Sequence, residues 1–155
     1  MSYEHILLVT DLLSDADIVA QKAKRIVENR PGSKLSVLHI VKDNMIGFGF
    51  GYELVPVSSL YDEIDDERCQ EARAKLAQFL ERNQLNAATS EVTTAISSSE
   101  GIVNYCHKHD VDLLVIGRHK RTGITAWISG ATADNILPNV PCDSLVVKLD
   151  KPVSK

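Results

Sequence analysis

Val111 to Leu137 reads VDLLVIGRHKRTGITAWISGATADNIL, and the fold follows from its first six residues. Val111-Asp112-Leu113-Leu114-Val115-Ile116 is an aliphatic, β-branched run whose apolar character does not alternate, the pattern of a strand covered on both faces and hence of a parallel sheet. Gly117 closes the run and a loop of basic and small residues follows. Gly130-Ala131-Thr132 then leads into Ala133-Asp134-Asn135-Ile136-Leu137, a short helical stretch stopped by Pro138. Carboxyl ends of parallel strands that face the first turn of a helix favour anions, because unpaired N–H groups and the helix dipole converge there. A ligand site is expected at that edge.

Outward from this stretch, Ile6-Leu7-Leu8-Val9-Thr10 is a second continuous apolar run, ending at Asp11 on the same edge of the sheet. Asp11 is either a turn residue bonding local N–H groups or a ligand contact. Ser14-Asp15-Ala16-Asp17 opens a helix with a hydroxyl cap and acids in its first turn, and Arg30-Pro31-Gly32-Ser33 ends it. Lys34 to Val41 is the next strand, in which His39 reads as a packed or edge histidine. Asp43 to Ser59 is irregular. Its Gly47-Phe48-Gly49-Phe50-Gly51-Tyr52 fails the dinucleotide fingerprint, since Tyr52 stands where the third glycine belongs, and it reads as a surface loop.

From Leu60 to about Arg82, the residues Leu60, Ile64, Ala72, Leu76, Phe79 and Leu80 form a helical stripe, with Asp62, Glu63, Asp65, Asp66 and Glu67 as a solvated acidic face. Thr89 to Ile96 is a polar strand suited to a sheet edge. Ser97-Ser98-Ser99-Glu100 is a capping box before a helix bearing Ile102, Val103 and Cys106. His107 and His109 lie two apart on it and point to different sides. Ser144 to Leu149 is the last strand. The order is β-α-β-(loop)-α-β-α-β-α-β, and right-handed crossovers make it an open, doubly wound, five-stranded parallel sheet with helices on both faces. If the chain reverses across the sheet after the third strand, the first and fourth strands are neighbours and Asp11 meets Gly117 at the switch point.

Composition narrows the function classes. A chain of 155 residues forms one domain able to bury roughly 70% of its unfolded surface, so its core needs no metal or disulfide. A net charge of -4 argues against a general nucleic-acid partner. The absence of a basic lead and of a ~20-residue apolar segment argues against a membrane and for a cytosolic location. Cys69, Cys106 and Cys142 are scattered without a C-x-x-C and fit reduced thiols packed as small apolar groups. A P-loop and a G-x-S-x-G elbow are missing. A receiver domain would need paired acids after the first strand, where Asp11 stands alone.

Strand-Asp11, the long loop after the second strand, Asp112-Leu113-Leu114-Val115-Ile116-Gly117-Arg118-His119, and Pro141-Cys142-Asp143-Ser144-Leu145-Val146-Val147 together resemble the universal stress protein family across nearly the whole chain. The resemblance implies strand order 3-2-1-4-5 in an adenine nucleotide alpha-hydrolase-like fold. Residues 1–150 would form the domain and 151–155 a polar tail. It further implies a cytoplasmic homodimer in the stress response, without catalysis, with room for an unknown protein partner. The pairing strand would be Leu145, Val146, Val147, Lys148 and Leu149, an apolar edge otherwise left with unpaired backbone groups.

ATP-binding members of the family resemble G-x-x-G-x(nine)-G-[ST] after the fourth strand. Here Gly117 and Gly130 match, Lys120 replaces the second glycine, and Ala131 replaces the hydroxyl residue, with Thr132 one place further on. A side chain at Lys120 crowds backbone approach to phosphate, and Ala131 removes a donor. Arg118-His119-Lys120-Arg121 supplies cations but reads foremost as a solvated loop. The reading is therefore a non-catalytic protein with weak nucleotide or anion binding. The alternative is an ATP or AMP switch, with magnesium if ATP, in which Asp11 and Val41 line the adenosine side and Gly117, Arg118, Gly130, Ala131 and Thr132 the phosphate side. Slow ATP hydrolysis is a third reading, for which no residue stands out.

Overall fold

In β1 (His5–Val9), all five residues are buried, which explains why its apolar character runs on without alternation. A computed structural model describes residues 3–13, 15–42, 58–85, 89–95, 97–118 and 136–149. Ile6 and Leu8 point into one hydrophobic layer with Val19, Ala20 and Ala23 of α1 (Ala16–Glu28) and Leu76 and Phe79 of α2 (Ser58–Arg82). Leu7 and Val9 point into the other, against Ile102, Tyr105 and Cys106 of α3 (Ser98–Lys108). One strand thus feeds two cores, as a central parallel strand must.

The sheet is five-stranded, in the order β3-β2-β1-β4-β5, with every pairing parallel. Here β2 is Lys34–Lys42, β3 is Thr89–Ala95, β4 is Leu113–Arg118 and β5 is Asp143–Lys148. The expected reversal after β3 is present, and it sets Ile6, Leu7 and Leu8 of β1 beside Leu113, Leu114 and Val115 of β4. The polar strand β3 is an edge, as its composition foretold.

Three local expectations shift. Gly117 does not end β4: it pairs with Val147, and the strand continues to Arg118 opposite Lys148. Leu149 falls just past β5 rather than within it. The cap position of α1 is Asp15, whose side chain makes no capping hydrogen bond. The helix start is held instead by the Ala16 N–H donating to Leu13 O at 3.0 Å and the Ile18 N–H to Asp15 O at 3.1 Å. Ser14, the expected cap, lies outside the described residues, as do the Gly47–Tyr52 loop and most of the helical stretch before Pro138.

Other signals have the expected physical form. Ser97 Oγ accepts from the Glu100 N–H at 3.2 Å and caps α3. Gly32, at φ +93°, takes the left-handed conformation that lets the chain turn from α1 into β2. No helix among the described residues is long and apolar enough to cross a membrane.

At the amino edge of the sheet, Asp112 Oδ2 accepts from the N–H groups of Glu4 at 3.0 Å and His5 at 2.9 Å. The carboxylate therefore ties the entry of β1 to that of β4. His5, 5% exposed, bridges the same edge: its Nδ1–H donates to His109 O at 3.0 Å, which leaves Nε2 of the neutral ring to accept from Ser36 Oγ at 2.7 Å. Ser36 Oγ is itself 2.7 Å from Thr89 Oγ1, so one polar chain runs from α3 across β1 and β2 to β3.

Candidate functional site

The carboxyl ends of β1, β2 and β4 meet where the switch point was expected. After β1 the chain turns through short bonds of its own. The Thr10 N–H donates to Leu38 O, Thr10 Oγ1 accepts from the Leu12 N–H at 2.9 Å, and Asp11 Oδ1 accepts from the Leu13 N–H at 2.9 Å. These bonds hold Leu12 at φ +61°, a left-handed conformation that costs a non-glycine residue of order 1 kcal/mol. The turn directs Asp11 to the mouth of the sheet, with one carboxylate oxygen already engaged locally. Asp11 is a turn former, and it also faces a cavity.

Asp11 and Gly117 do line a common space at the β1/β4 switch point, together with Val19 and Leu149, but that space is only about 10 Å³. It holds at most one water. The reason is steric: a Cβ on Gly117 would lie 2.7 Å from Leu149 Cδ1 and 2.8 Å from Val19 Cγ2. Gly117 here admits side chains of its own fold.

On the other side of Asp11 lies an open crevice of about 300 Å³, between the ends of β1 and β2 and the flank of α2. Asp11, His39, Val41, Arg68, Glu71 and Lys75 line it. Val41, 8% exposed, and Ala72 form its apolar floor, with Cys69 packed against them. His39 Nδ1–H donates to Thr10 O at 2.8 Å, so the ring braces the same turn that presents Asp11. Burial depresses the His39 pKa, opposed by the Thr10 hydrogen bond and by the nearby Asp11 carboxylate, and reinforced by Lys75. Two carboxylates and two long cations share the rim, an arrangement that orients a polar ligand without concentrating charge of either sign.

The structure therefore brings Asp11 together with both Val41 and Gly117, in two different spaces. For Arg118 it places only the backbone, at the end of β4. Lys120, Gly130, Ala131 and Thr132 lie outside the described residues. Leu145 to Lys148 lie on the edge strand β5 and Leu149 just past it, but they are not all outward: Val147 and Leu149 are 5% and 8% exposed in the core shared with α1, Leu145 and Val146 are half-buried, and Lys148 is exposed. Sequence reasoning missed His39, which it treated as structure, and the α2 contribution. Arg68, Glu71 and Lys75 recur at three and four residues, a helical face whose spacing was the available signal. Among the described residues no group of three His, Cys, Asp or Glu side chains is placed to hold a metal.

The architecture defines an open, doubly wound α/β domain with its crevice at the carboxyl edge of the sheet. The model of the universal stress protein family matches residues 2–148. The chain belongs to the universal stress protein family. It is 29% identical over 147 residues to the universal stress protein A homolog of Pasteurella multocida, across 95% of this chain and 97% of that protein. Among solved structures, the universal stress protein UspA from Lactobacillus plantarum superposes with a TM-score of 0.73 at 20% identity, over 95% of this chain and 99% of that one. A universal stress protein in complex with cAMP superposes with a TM-score of 0.55 at 16% identity, over 97% and 100% of the two chains. These structural likenesses define the fold.

Proposed function

We propose that this universal stress protein is a non-catalytic, cytoplasmic, homodimeric stress-response protein with a weak adenine-nucleotide or anion site in the crevice beside Asp11. The observation that carries this reading is the division of space around that residue. The switch point proper is filled by Leu149 and Val19, whereas the β1/β2 side keeps about 300 Å³ with Asp11 and Val41 in its lining. That volume is at the small end for ligand pockets and suits a nucleoside-sized group. A relative bound to cAMP supports the ligand class.

The weakness of binding has two sources. Arg68 and Lys75 are balanced on the rim by Glu71 and Asp11. In the phosphate-side pattern, Lys120 and Ala131 replace a glycine and a hydroxyl residue. By the family pattern, a nucleotide would meet Asp11 and Val41 on its adenosine side and Arg118, Gly130, Ala131 and Thr132 on its phosphate side, with magnesium accompanying ATP, while Gly117, the remaining position of that pattern, is packed against Leu149 and Val19. Because Asp11 and Val41 share one crevice, a regulatory ATP or AMP switch is the second reading. Isothermal titration of nucleotide-stripped protein with ATP, with and without magnesium, beside a Lys120→Gly/Ala131→Ser double variant, separates the two. Binding gained only by the variant supports the weak-site reading; micromolar binding by the wild type supports the switch.

The homodimer reading rests on the contrast between the two sheet edges. β3 carries Thr89, Ser90, Glu91, Thr93 and Thr94, a polar edge that water satisfies, while β5 carries the half-buried Leu145 and Val146. An apolar edge strand is stabilised by pairing with a second copy. Sedimentation equilibrium at micromolar concentration showing a monomer would contradict it.

A further inference from the structure

The turn Thr10-Asp11-Leu12-Leu13 is held from several sides. The Thr10 N–H donates to Leu38 O at 3.0 Å, and Thr10 O accepts from His39 Nδ1–H at 2.8 Å. Thr10 Oγ1 accepts from the Leu12 N–H and Asp11 Oδ1 from the Leu13 N–H, each at 2.9 Å. These bonds keep Leu12 at φ +61° against its own preference, so the direction of the next side chain is fixed before any ligand arrives. The Leu12 side chain is half-buried and packs against the core layer that includes α1. Leu13 is different. Its carbonyl has a structural task, accepting from the Ala16 N–H at the start of α1, but its side chain belongs to neither core layer and is 41% exposed.

Among the described residues, Leu13 and Leu137 are the large apolar side chains left exposed, and Leu13 borders the crevice of about 300 Å³. Leu12 and Leu13 give that crevice an apolar wall, continuous in character with its floor of Val41 and Ala72. Its charged groups, by contrast, cancel: Arg68 and Lys75 attract an anion while Asp11 and Glu71 repel one. A space with apolar wall and floor and no net charge gains most from a ligand with a flat apolar face, and little from a polyanion.

We propose that Leu13, with Leu12, is the specificity-determining wall of this crevice, that it takes the ring of a purine nucleoside, and that the ring rather than the phosphates sets affinity. This deepens the weak-nucleotide reading and rests on it. The ring face displaces water from Leu13, Val41 and Ala72, a gain that is the same whether the ribose carries no phosphate or three. The strain stored at Leu12 serves this by presenting Leu13 without a conformational change on binding.

The test is titration of the nucleotide-stripped chain with adenosine, AMP, ATP and ribose 5-phosphate, followed by amide NMR. Adenosine, AMP and ATP should bind with dissociation constants within about threefold of one another, and ribose 5-phosphate should leave the Leu12 and Leu13 amides unmoved. Leu13→Ser should weaken all three adenine compounds by about fivefold or more and to the same degree, whereas Leu13→Met should bind as the wild type does. The exposed position keeps both substitutions out of the core layers, and circular dichroism checks the fold. ATP binding about tenfold or more tighter than adenosine, or undiminished binding by Leu13→Ser, would overturn this inference and leave the crevice a nucleotide site. If none of the three adenine compounds shifts the wild-type amides, the nucleotide reading falls and this inference with it.

Discussion

Leu149 occupies the space in front of Gly117: a Cβ placed on that glycine would lie 2.7 Å from Leu149 Cδ1, with Val19 Cγ2 at 2.8 Å on its other side. A residue that the nucleotide pattern assigns to phosphate contact is thereby explained by packing between β4, α1 and the segment after β5. Gly117→Ala should destabilise the protein by about 1–3 kcal/mol through overpacking. Part of that loss should return in Gly117→Ala/Leu149→Ala, which frees the space at the cost of a buried side chain. Urea unfolding of the two variants reads the difference.

Asp112 contributes to stability through two backbone donors, Glu4 and His5, which its Oδ2 accepts together. Asp112→Ala leaves both N–H groups without that acceptor at the junction of β1 and β4. The expected cost is about 1–3 kcal/mol, with Asp112→Asn losing less because its amide oxygen still accepts. Equal stability of the alanine variant and the wild type would show that water replaces the carboxylate.

The α1–α2 contact separates an exposed pair from a buried one. Arg82 reaches the Asp17 carboxylate at 3.0 Å but both side chains are substantially exposed, so Arg82→Ala should cost under about 1 kcal/mol. Asn83, 4% exposed, donates to Asp17 Oδ1 at 2.8 Å and to Phe79 O at 3.0 Å. Its replacement by alanine removes both bonds in a buried setting and should cost more, about 1–3 kcal/mol. Thermal or urea denaturation should rank Asn83→Ala below Arg82→Ala in stability.

Acid should weaken the protein through two histidines. Burial depresses the pKa of His5, against the His109 hydrogen bond, and likewise that of His39. Both groups titrate near 6.5 when unfolded, so as pH falls below that value the unfolded chain takes up protons that the folded one resists. Their stability contribution is complete above 6.5 and is lost as pH drops toward the depressed folded values. Urea midpoints measured from about pH 7.5 to about pH 5 should fall, and His39→Asn should flatten the slope.

The sheet was legible because its central strands are covered on both faces. Ile6 to Val9 and Leu113 to Ile116 could not alternate if each strand feeds two cores, and that pattern alone placed Asp11 and Gly117 at one edge. What stayed hidden depends on tertiary approach. Whether Gly117 faces a ligand or Leu149 is decided by how closely the chain packs after β5, which no spacing reveals. His39 reads as a packed histidine because it is one; its second role, at the crevice, arises from where α2 lies across the end of β2.

The most direct test of the central claim is a titration of isotopically labelled protein with ATP, followed by amide NMR. The account predicts shifts clustered at Asp11, Leu12, Val41 and Ala72 around the crevice, saturating only near millimolar nucleotide, a binding free energy of about -4 kcal/mol. Saturation in the low micromolar range would contradict the weak-site reading, and shifts that leave those four amides unmoved would contradict the placement of the site beside Asp11.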